Sequence, residues 1–489
     1  MTTRCTLCLK RLFGLLLVLG ASQLNAARPT NFIQILTDDQ GWGDLGSYGH
    51  KLLKTPHIDQ LAADGMKFSH CYSSAGVCSP SRAAILTGRT PYRNGVYHWI
   101  NTDRELHLPA SEITLPQLLR EHGYQTAHFG KWHLSHYSNN GGQPPFLFGG
   151  DKTQPTMKAY GYDYWFATGN VARPSHKNPQ NFFRNGKAVG PLQGYSAQLV
   201  AQEIAQWIDN TRTADKPFFM TVWFHEPHGP ISSDPRFMNR YGDDADLKLK
   251  QYLGNITQID EAVGAIVKSL EAAGITDNTL IWYTSDNGPA GDDEHNLKSN
   301  FRGSTGGLRG RKAHTHEGGI RVPGIIKWPA GLKRAGVAAG TTSEVPTVGH
   351  DILPTLLDIA GVAIPEDRVI DGTSILPVLE NRPFQRNRPL YWRNRKETMR
   401  VAIRDGVWKL LCDSRRSSWQ LYNLVEDPQE TTDLTKSNPE LFERMKAALI
   451  AYDNDVLTDG PDWWQRGSWK KTYPPDIANQ QQQENNKSR

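Results

Sequence analysis

Four short polar clusters each follow directly on an apolar, β-rich run of this chain. Thr37-Asp38-Asp39 follows residues 31–36, and Gly130-Lys131-Trp132-His133 follows 126–129. His225-Glu226-Pro227-His228 follows 217–224, and Ser285-Asp286-Asn287-Gly288 follows 279–284. Taken singly, tandem Asp after a strand reads as a turn or helix cap, and Asp-Asn-Gly as a hairpin turn. The flanking sequence argues against both. Gln40-Gly41-Trp42-Gly43 is a loop and not a helix start, and 289–304 is a long polar stretch and not a returning strand. At one sheet edge Asp38, Asp39 and Asp286 would converge as hard oxygen ligands, suited to Ca2+ or Mg2+ and poorly suited to Cu or Zn. Asn287 would add a neutral carbonyl oxygen. A second chemistry is offered by Cys78, which opens a helix-like run containing Arg82. The helix N-terminus and Arg82 both stabilise a thiolate, and the alternative is a buried structural cysteine.

A sheet must position these groups. Helix-like stretches at 114–122, 197–210 and 253–273 separate the β-rich runs, to which 322–328 adds a fifth. This order predicts an α/β fold, a large mostly parallel sheet flanked by helices, with ligands beyond the carboxyl ends of the strands. After about Pro383 the runs shorten to 399–404, 407–411 and 419–424, with Asp405-Gly406 as a hairpin turn and a helix near 439–456. They predict a smaller C-terminal antiparallel-sheet subdomain. The expected division is a signal peptide at 1–26, a catalytic domain at 27–385, this subdomain at 386–470, and a disordered tail at 471–489 that ends in a Gln/Asn-rich run.

Composition narrows the function classes. With 38% hydrophobic and 21% charged residues, 44 Gly and 30 Pro, the 489-residue chain is neither wholly disordered nor collagen-like. Arg4, Lys10 and Arg11 precede an apolar run at 12–19 and lead to Ala26-Ala27, the pattern of a cleaved secretory signal. That run is shorter than the roughly 20 residues that span a bilayer, and no later segment serves as a membrane anchor. Removing 1–26 takes away three positive charges and no negative ones, lowering the formal net charge from +5 to +2. No Lys/Arg-rich block remains, so no nucleic-acid partner is expected. Export to the periplasm or outside the cell is expected. Cys5 and Cys8 leave with the leader, and Cys71, Cys78 and Cys412 are too few for a disulfide framework. Cys71 and Cys412 either pair or stay separate.

Cys78-Ser79-Pro80-Ser81-Arg82, followed by apolar residues and Thr87-Gly88-Arg89, resembles the signature of the type I sulfatases of the alkaline phosphatase superfamily. A second motif of that family is similar to Gly123-Tyr124-Gln125-Thr126-Ala127-His128-Phe129-Gly130-Lys131-Trp132-His133. The resemblance continues through Asp38-Asp39, Pro227-His228-Gly229-Pro230, Asp286-Asn287-Gly288, Lys312 and Glu317-Gly318-Gly319-Ile320-Arg321-Val322-Pro323. It reaches Leu421-Tyr422-Asn423-Leu424 and Asp427-Pro428, in family order.

The resemblance implies a sulfuric ester hydrolase whose Cys78 is converted by a formylglycine-generating enzyme to Cα-formylglycine (3-oxoalanine), the hydrate of which is the nucleophile. It implies one Ca2+ ion held by Asp38, Asp39, Asp286 and Asn287, with the modified Cys78 facing it. Arg82 would hold formylglycine, and Lys131 and Lys312 would bind the sulfate oxygens. His228, alone or with Lys312, would protonate the departing alcohol, and His133 would take the proton that lets the aldehyde re-form and sulfate leave. These cations cancel the charge of the sulfate ester, a task for which preorganised charge is usually the largest catalytic contribution. A plain thiolate would instead leave a thiosulfonate-type adduct with no internal exit.

Specificity for the alcohol must lie in loops, chiefly 167–187 with Arg173, His176, Asn178, Asn181 and Arg184, and 292–302 with His295, Asn296 and Arg302. Fourteen Trp in an exported chain point to a sulfated carbohydrate, a polysaccharide or glycosaminoglycan fragment. In 168–170 no residue stands out as a further sulfate contact. His314 and His316 depart from the family pattern and read as solvent-facing loop histidines; His225 is either a sulfate neighbour or packing at a strand end. Two other functions compete, a phosphate or phosphonate monoester hydrolase of the same superfamily and a catalytically silent sulfated-glycan binder. Lys131 and Lys312, where a second metal would need ligands, favour sulfate over phosphate.

Overall fold

Alternation assigns the two faces of the central strand in this computed structural model, which describes residues 29–100, 107–135, 147–148, 152–242, 246–291, 301–394 and 399–460. The expected leader and tail lie outside the described residues. Asn31–Thr37 is buried along its whole length. Phe32 and Leu36 enter one apolar core, Ile33 and Ile35 a second core on the opposite face. This is the period-2 projection of a strand covered on both sides. Its neighbours repeat the split: Phe219, Trp223, Leu280 and Trp282 face the first core, and Met220, Val222, Ile281 and Tyr283 the second.

Five parallel strands form the centre of a ten-stranded sheet, in the order Thr279–Ser285, Asn31–Thr37, Phe218–Trp223, Gln125–Lys131, Tyr164–Thr168. Antiparallel pairings appear toward both edges. The run at 322–328, expected as one strand, is two. Pro323 lacks the N–H that a continuous ladder needs. Arg321–Val322 therefore joins a three-stranded sheet with Cys71–Tyr72 and Thr347–Val348, while Gly324–Lys327 enters the large sheet antiparallel to Thr279–Ser285. Ser196–Asn210 and Leu247–Ala272 cover the second core with Val200, Ile204 and Trp207 and with Ile256, Ile259, Val263 and Ile266, at helical spacing. The longer helix starts ahead of the expected 253 because Asp246 caps it, accepting from Lys248 N at 2.8 Å.

The C-terminal antiparallel sheet consists of Leu390–Arg393, Met399–Asp405, Trp408–Asp413 and Trp419–Asn423, and Pro439–Asp459 closes it. Gly406, at φ +57, makes the expected hairpin between Asp405 and Trp408. One face packs Tyr391, Ile403, Leu410 and Leu421 against Met445, Leu449 and Val456 of that helix. The other packs Trp392, Ala402, Leu411 and Tyr422 against Tyr72 and Val348 of the three-stranded sheet and Ile320 of the short helix Glu317–Ile320. Each fully buried side chain of this size contributes roughly 1.5–3 kcal/mol, so the small sheet is fixed to the large one. Cys71, Cys78 and Cys412 are buried and free, so Cys71 and Cys412 do not pair. Among the described residues no helix is long and apolar enough to cross a membrane.

Candidate active site

Parallel register brings the four clusters to one edge. Thr37 pairs with Ser285, Leu36 with Trp223, Trp223 with Gly130, and Lys131 with Thr168. Asp38, Asp286, Lys131 and His225 therefore emerge within one residue of the same level. Three non-glycine residues here adopt left-handed backbone: Asp39 at φ 68, His133 at 59, and Ala313, beside Lys312, at 76. Each such residue stores roughly 1–3 kcal/mol, held by the surrounding packing.

The carboxylates and cations interlock. Lys131 Nζ donates to Asp38 Oδ2 at 2.6 Å, and Lys312 Nζ to Asp39 Oδ1 at 2.5 Å. Arg82 closes on Asp286 Oδ2 through Nε at 2.9 Å and Nη2 at 2.7 Å, and donates from Nη1 to Lys131 O at 3.0 Å. Asp39 N donates to Asp286 Oδ1 at 3.2 Å, and Asn287 Nδ2 to Asp39 Oδ1 at 2.7 Å. Burial alone would raise the Asp38 carboxyl, but Lys131, His228, Arg82 and Lys312 hold it well below its usual range.

Three oxygens nevertheless have no donor among the described residues: Asp38 Oδ1, Asp39 Oδ2 and Asn287 Oδ1, all buried. A buried acceptor left unpaired costs about 1–3 kcal/mol, and three on neighbouring residues mark a place for a cation. Ligand atoms of Asp38, Asp39 and Cys78 lie within 4.8 Å of one another. The all-oxygen set fits a hard ion such as Ca2+. The sulfur is the misfit, and an oxygen at that position would remove it.

Cys78 opens the helix Cys78–Thr87, every residue of which is buried, and is itself only 2% exposed. Lys312 Nζ lies 3.5 Å from its Sγ. Thiolate activation by the helix end and Arg82 is not found. Burial pushes the Cys78 thiol up to about 12, outweighing Lys131 and Lys312, and Arg82 is engaged by Asp286. As a thiol this residue is a neutral, poor nucleophile.

Hydrogen bonding sets the histidine tautomers. His133 Nε2 lies 3.0 Å from Ile100 O, and His228 Nδ1 lies 2.7 Å from Gly229 O. A carbonyl only accepts, so those nitrogens carry the protons, and His133 Nδ1 and His228 Nε2 are the atoms that exchange them. His133 Nδ1 is buried with no partner among the described residues, and His228 Nε2 is 3.7 Å from Asp39 Oδ2. Burial lowers both imidazoles, with Lys131 adding to the effect at His133 and Asp38 opposing it at His228.

His225 Nε2 lies 2.8 Å from Thr168 Oγ1, and its ring meets Phe182 at 5.3 Å. His316 corrects the solvent-facing reading, being 4% exposed just before the buried helix Glu317–Ile320; His314 is half-buried. In the loop at 167–187, Asn178 accepts from Gly194 N, Asn181 bonds Arg173 N and Val171 O, and Arg184 pairs with Glu203, so these three serve the fold. Arg173 is exposed and His176 buried. Arg302 pairs with Asp246 at 3.2 Å, while His295 and Asn296 lie outside the described residues.

Sequence reasoning missed a second charged cluster just beyond Lys312. Glu317 Oε1 and Glu430 Oε1 both lie 2.9 Å from Lys409 Nζ; Tyr72 OH donates to Glu317 Oε2 at 2.7 Å, and Glu317 N to Glu430 Oε2 at 2.6 Å. It anchors the helix whose Gly319 O accepts from Gly288 N at 2.9 Å, next to Asn287. The available signal was a lysine in a strand slot that faces the same side as Leu411.

A parallel-sheet edge holding this set of acids, lysines and histidines around a buried Cys78 has the layout of a sulfuric ester hydrolase. A family model described as Sulfatase matches residues 30–362, and one described as N-sulphoglucosamine sulphohydrolase, C-terminal, matches 311–455. The chain belongs to the sulfatase family, within the alkaline phosphatase superfamily, and hydrolyses sulfate esters. It is 35% identical over 439 residues to N-acetylgalactosamine-6-sulfatase of Canis lupus familiaris, covering 83% of this chain and 76% of that one. It is 32% identical over 450 residues to steryl-sulfatase of Rattus norvegicus, covering 75% and 74%. The solved structure of Ps i-CgsB superposes with a TM-score of 0.76 at 27% identity, over 89% of this chain and 94% of that one.

Proposed function

We infer that this sulfatase acts on a sulfated carbohydrate through formylglycine made from Cys78 by a formylglycine-generating enzyme, with one Ca2+ held by Asp38, Asp39, Asp286 and Asn287. The donorless oxygens of Asp38, Asp39 and Asn287 close to Cys78 carry this reading. When present, formylglycine supplies a hydrated-aldehyde oxygen as nucleophile, and Ca2+ supplies positive charge beside it. Lys131 and Lys312, whose charges both bear on Cys78, hold the sulfate oxygens. Arg82 braces Asp286 and the Lys131 carbonyl. His228, entering the cycle as the imidazolium with Nε2 protonated, gives that proton to the departing alcohol, and His133, neutral with Nδ1 bare, takes the proton released as sulfate leaves. Help of this kind is typically worth ~10²–10⁴-fold. The N-acetylgalactosamine-6-sulfatase relative supports a sugar as the alcohol. The leader pattern at 1–26 supports export to the periplasm or beyond, with a catalytic domain at 27–385 and a subdomain at 386–470.

The test is enzyme co-produced with a formylglycine-generating enzyme. The peptide holding Cys78 shifts to the mass of the aldehyde, 4-nitrophenyl sulfate is cleaved in preference to 4-nitrophenyl phosphate, and chelation stops turnover. A fully active enzyme still bearing the thiol, or a preference for the phosphate, refutes the reading.

A further inference from the structure

Beside His228 and Lys131 lie polar atoms that the protein interior does not use. Thr168 Oγ1 donates to Asn170 O at 2.5 Å, which commits the one hydroxyl proton, because a carbonyl only accepts. The 2.8 Å contact to His225 Nε2 therefore has the imidazole as donor. His225 is thereby the tautomer with a bare Nδ1, an acceptor on a side chain 1% exposed and without a partner among the described residues. The same reasoning applies to His176. Asn255 Nδ2 donates to its Nδ1 at 3.2 Å, which leaves the proton on Nε2, a buried donor whose acceptor among the described residues is the His228 backbone, held at less than full hydrogen-bond geometry. Asn170 Oδ1, on a half-buried residue, is another unpaired acceptor.

These atoms share one flank of the reacting centre. Thr168 pairs with Lys131, and Trp132 N and His133 N donate to Thr168 O and Gly169 O at 3.0 and 2.9 Å. His225 stands three residues before His228, and His176 lies beside the His228 backbone. Because His228 serves the leaving oxygen, its flank faces the alcohol. A bare imidazole nitrogen repels a sulfate oxygen, lone pair against lone pair, and attracts an O–H or N–H. Burial does not remove these groups from substrate, since Cys78 and Lys131 are buried as deeply, at 2% and 0% exposure.

We propose that Asn170, His176 and His225 form a subsite for a hydrogen-bonding leaving group, with His225 Nδ1 accepting from a sugar hydroxyl or acetamido N–H next to the sulfate ester. This rests on the carbohydrate reading above and takes it to individual contacts. A sterol nucleus has no donor to offer there, and the acceptors His225 Nδ1 and Asn170 Oδ1 would stay unpaired against it.

The test compares wild type with His225→Gln and Asn170→Ala, all formylglycine-bearing and Ca2+-loaded, on N-acetylgalactosamine 6-sulfate, 4-nitrophenyl sulfate and cholesteryl sulfate. Gln keeps a donor for Thr168 and lacks the Nδ1 acceptor. The expected result is wild-type preference for the sugar sulfate, and a kcat/KM that falls roughly tenfold further on it than on the aryl sulfate in His225→Gln. Asn170→Ala, at a half-buried position, shifts the ratio the same way. Equal falls on sugar and aryl sulfates would make His225 a support of the Thr168–Lys131 strand ends and overturn the subsite. No change, or wild-type preference for cholesteryl sulfate, would overturn it too. Wild type with a confirmed aldehyde at position 78 and no turnover of any sulfate would instead overturn the underlying reading.

Discussion

Around Lys409 two carboxylates and a lysine are buried with three of the four carboxylate oxygens hydrogen-bonded, by Lys409, Tyr72 and the Glu317 amide, and the fourth, Glu430 Oε1, 2.9 Å from the Lys409 ammonium. Around Cys78 three carboxylates meet three cations at equally short distances, yet Asp38 Oδ1, Asp39 Oδ2 and Asn287 Oδ1 have no donor among the described residues. With Arg321 3.6 Å from Glu317 Oε2, the first cluster is balanced as the second is, so charge does not separate them. Saturation does: the first is closed and ties the small sheet to the large one, while the second holds unused ligand capacity at a strand-end site. Buried ion pairs offset their own desolvation only when their remaining lone pairs are satisfied, so an open cluster makes sense where something else is to bind.

The sharpest way to break this contrast is Asp39→Ala, which removes a donorless oxygen together with the anchor of Lys312. Turnover of 4-nitrophenyl sulfate is expected to fall by roughly 10³-fold or more. Wild type is expected to gain about 2.7 kcal/mol from Ca2+ at a hundredfold excess over Kd, and the variant close to nothing. Calorimetry with and without Ca2+ measures this; an undiminished Ca2+ shift in Asp39→Ala would place the ion elsewhere. Next in size is a matched pair of lysine replacements. Lys409→Met strips Glu430 of its ammonium, leaves Glu317 with Arg321 at 3.6 Å, and is expected to lose about 3–5 kcal/mol. Lys312→Met, at a partly exposed position beside the ion, is expected to lose less than about 1 kcal/mol while turnover collapses. Urea unfolding in Ca2+ ranks them, and the reverse order would undo the contrast.

Asp260 supplies the smallest and sharpening case, a buried carboxylate that keeps its proton. Ile58 N donates to its Oδ1 at 2.8 Å, and Oδ2 has no partner among the described residues. Burial pushes its pKa from 3.8 to about 7. Because the folded value is raised, its contribution to stability is complete below pH ~4 and is lost as pH rises through about 7. Asp260→Asn is expected to flatten that part of the curve of unfolding free energy against pH. An unchanged slope between pH 5 and 8 would show that Asp260 is already ionised in the folded chain.

What was legible in the sequence followed from periodicity and strand ends. Apolar, β-rich runs ending in Asp, Asn, Lys or His marked both the parallel sheet and its carboxyl edge, so Asp38, Asp39, Lys131, His228 and Asp286 could be gathered from the sequence. Lys409 and Glu430 were illegible because a buried charge looks like a surface charge until its partner is known, and that partner, Glu317, is distant in sequence. The Asp286 partner of Arg82 was illegible for the same reason: proximity along the chain pointed to Cys78 alone, while the fork of the guanidinium also closes on the carboxylate of Asp286, 204 residues away. Pro323 was visible, yet whether a proline ends a strand or merely marks an edge depends on the neighbouring strand. His316 lay in a segment with no periodicity to assign it a side.

The depth of Cys78 also sets an order of events. A side chain 2% exposed, at the start of a helix buried on every residue, cannot enter the active site of another enzyme once the chain has closed. Any outside chemistry performed on it belongs to the unfolded, newly made polypeptide. Afterwards the finished core shields the product from further editing, so a molecule that folds too soon keeps its sulfur for life.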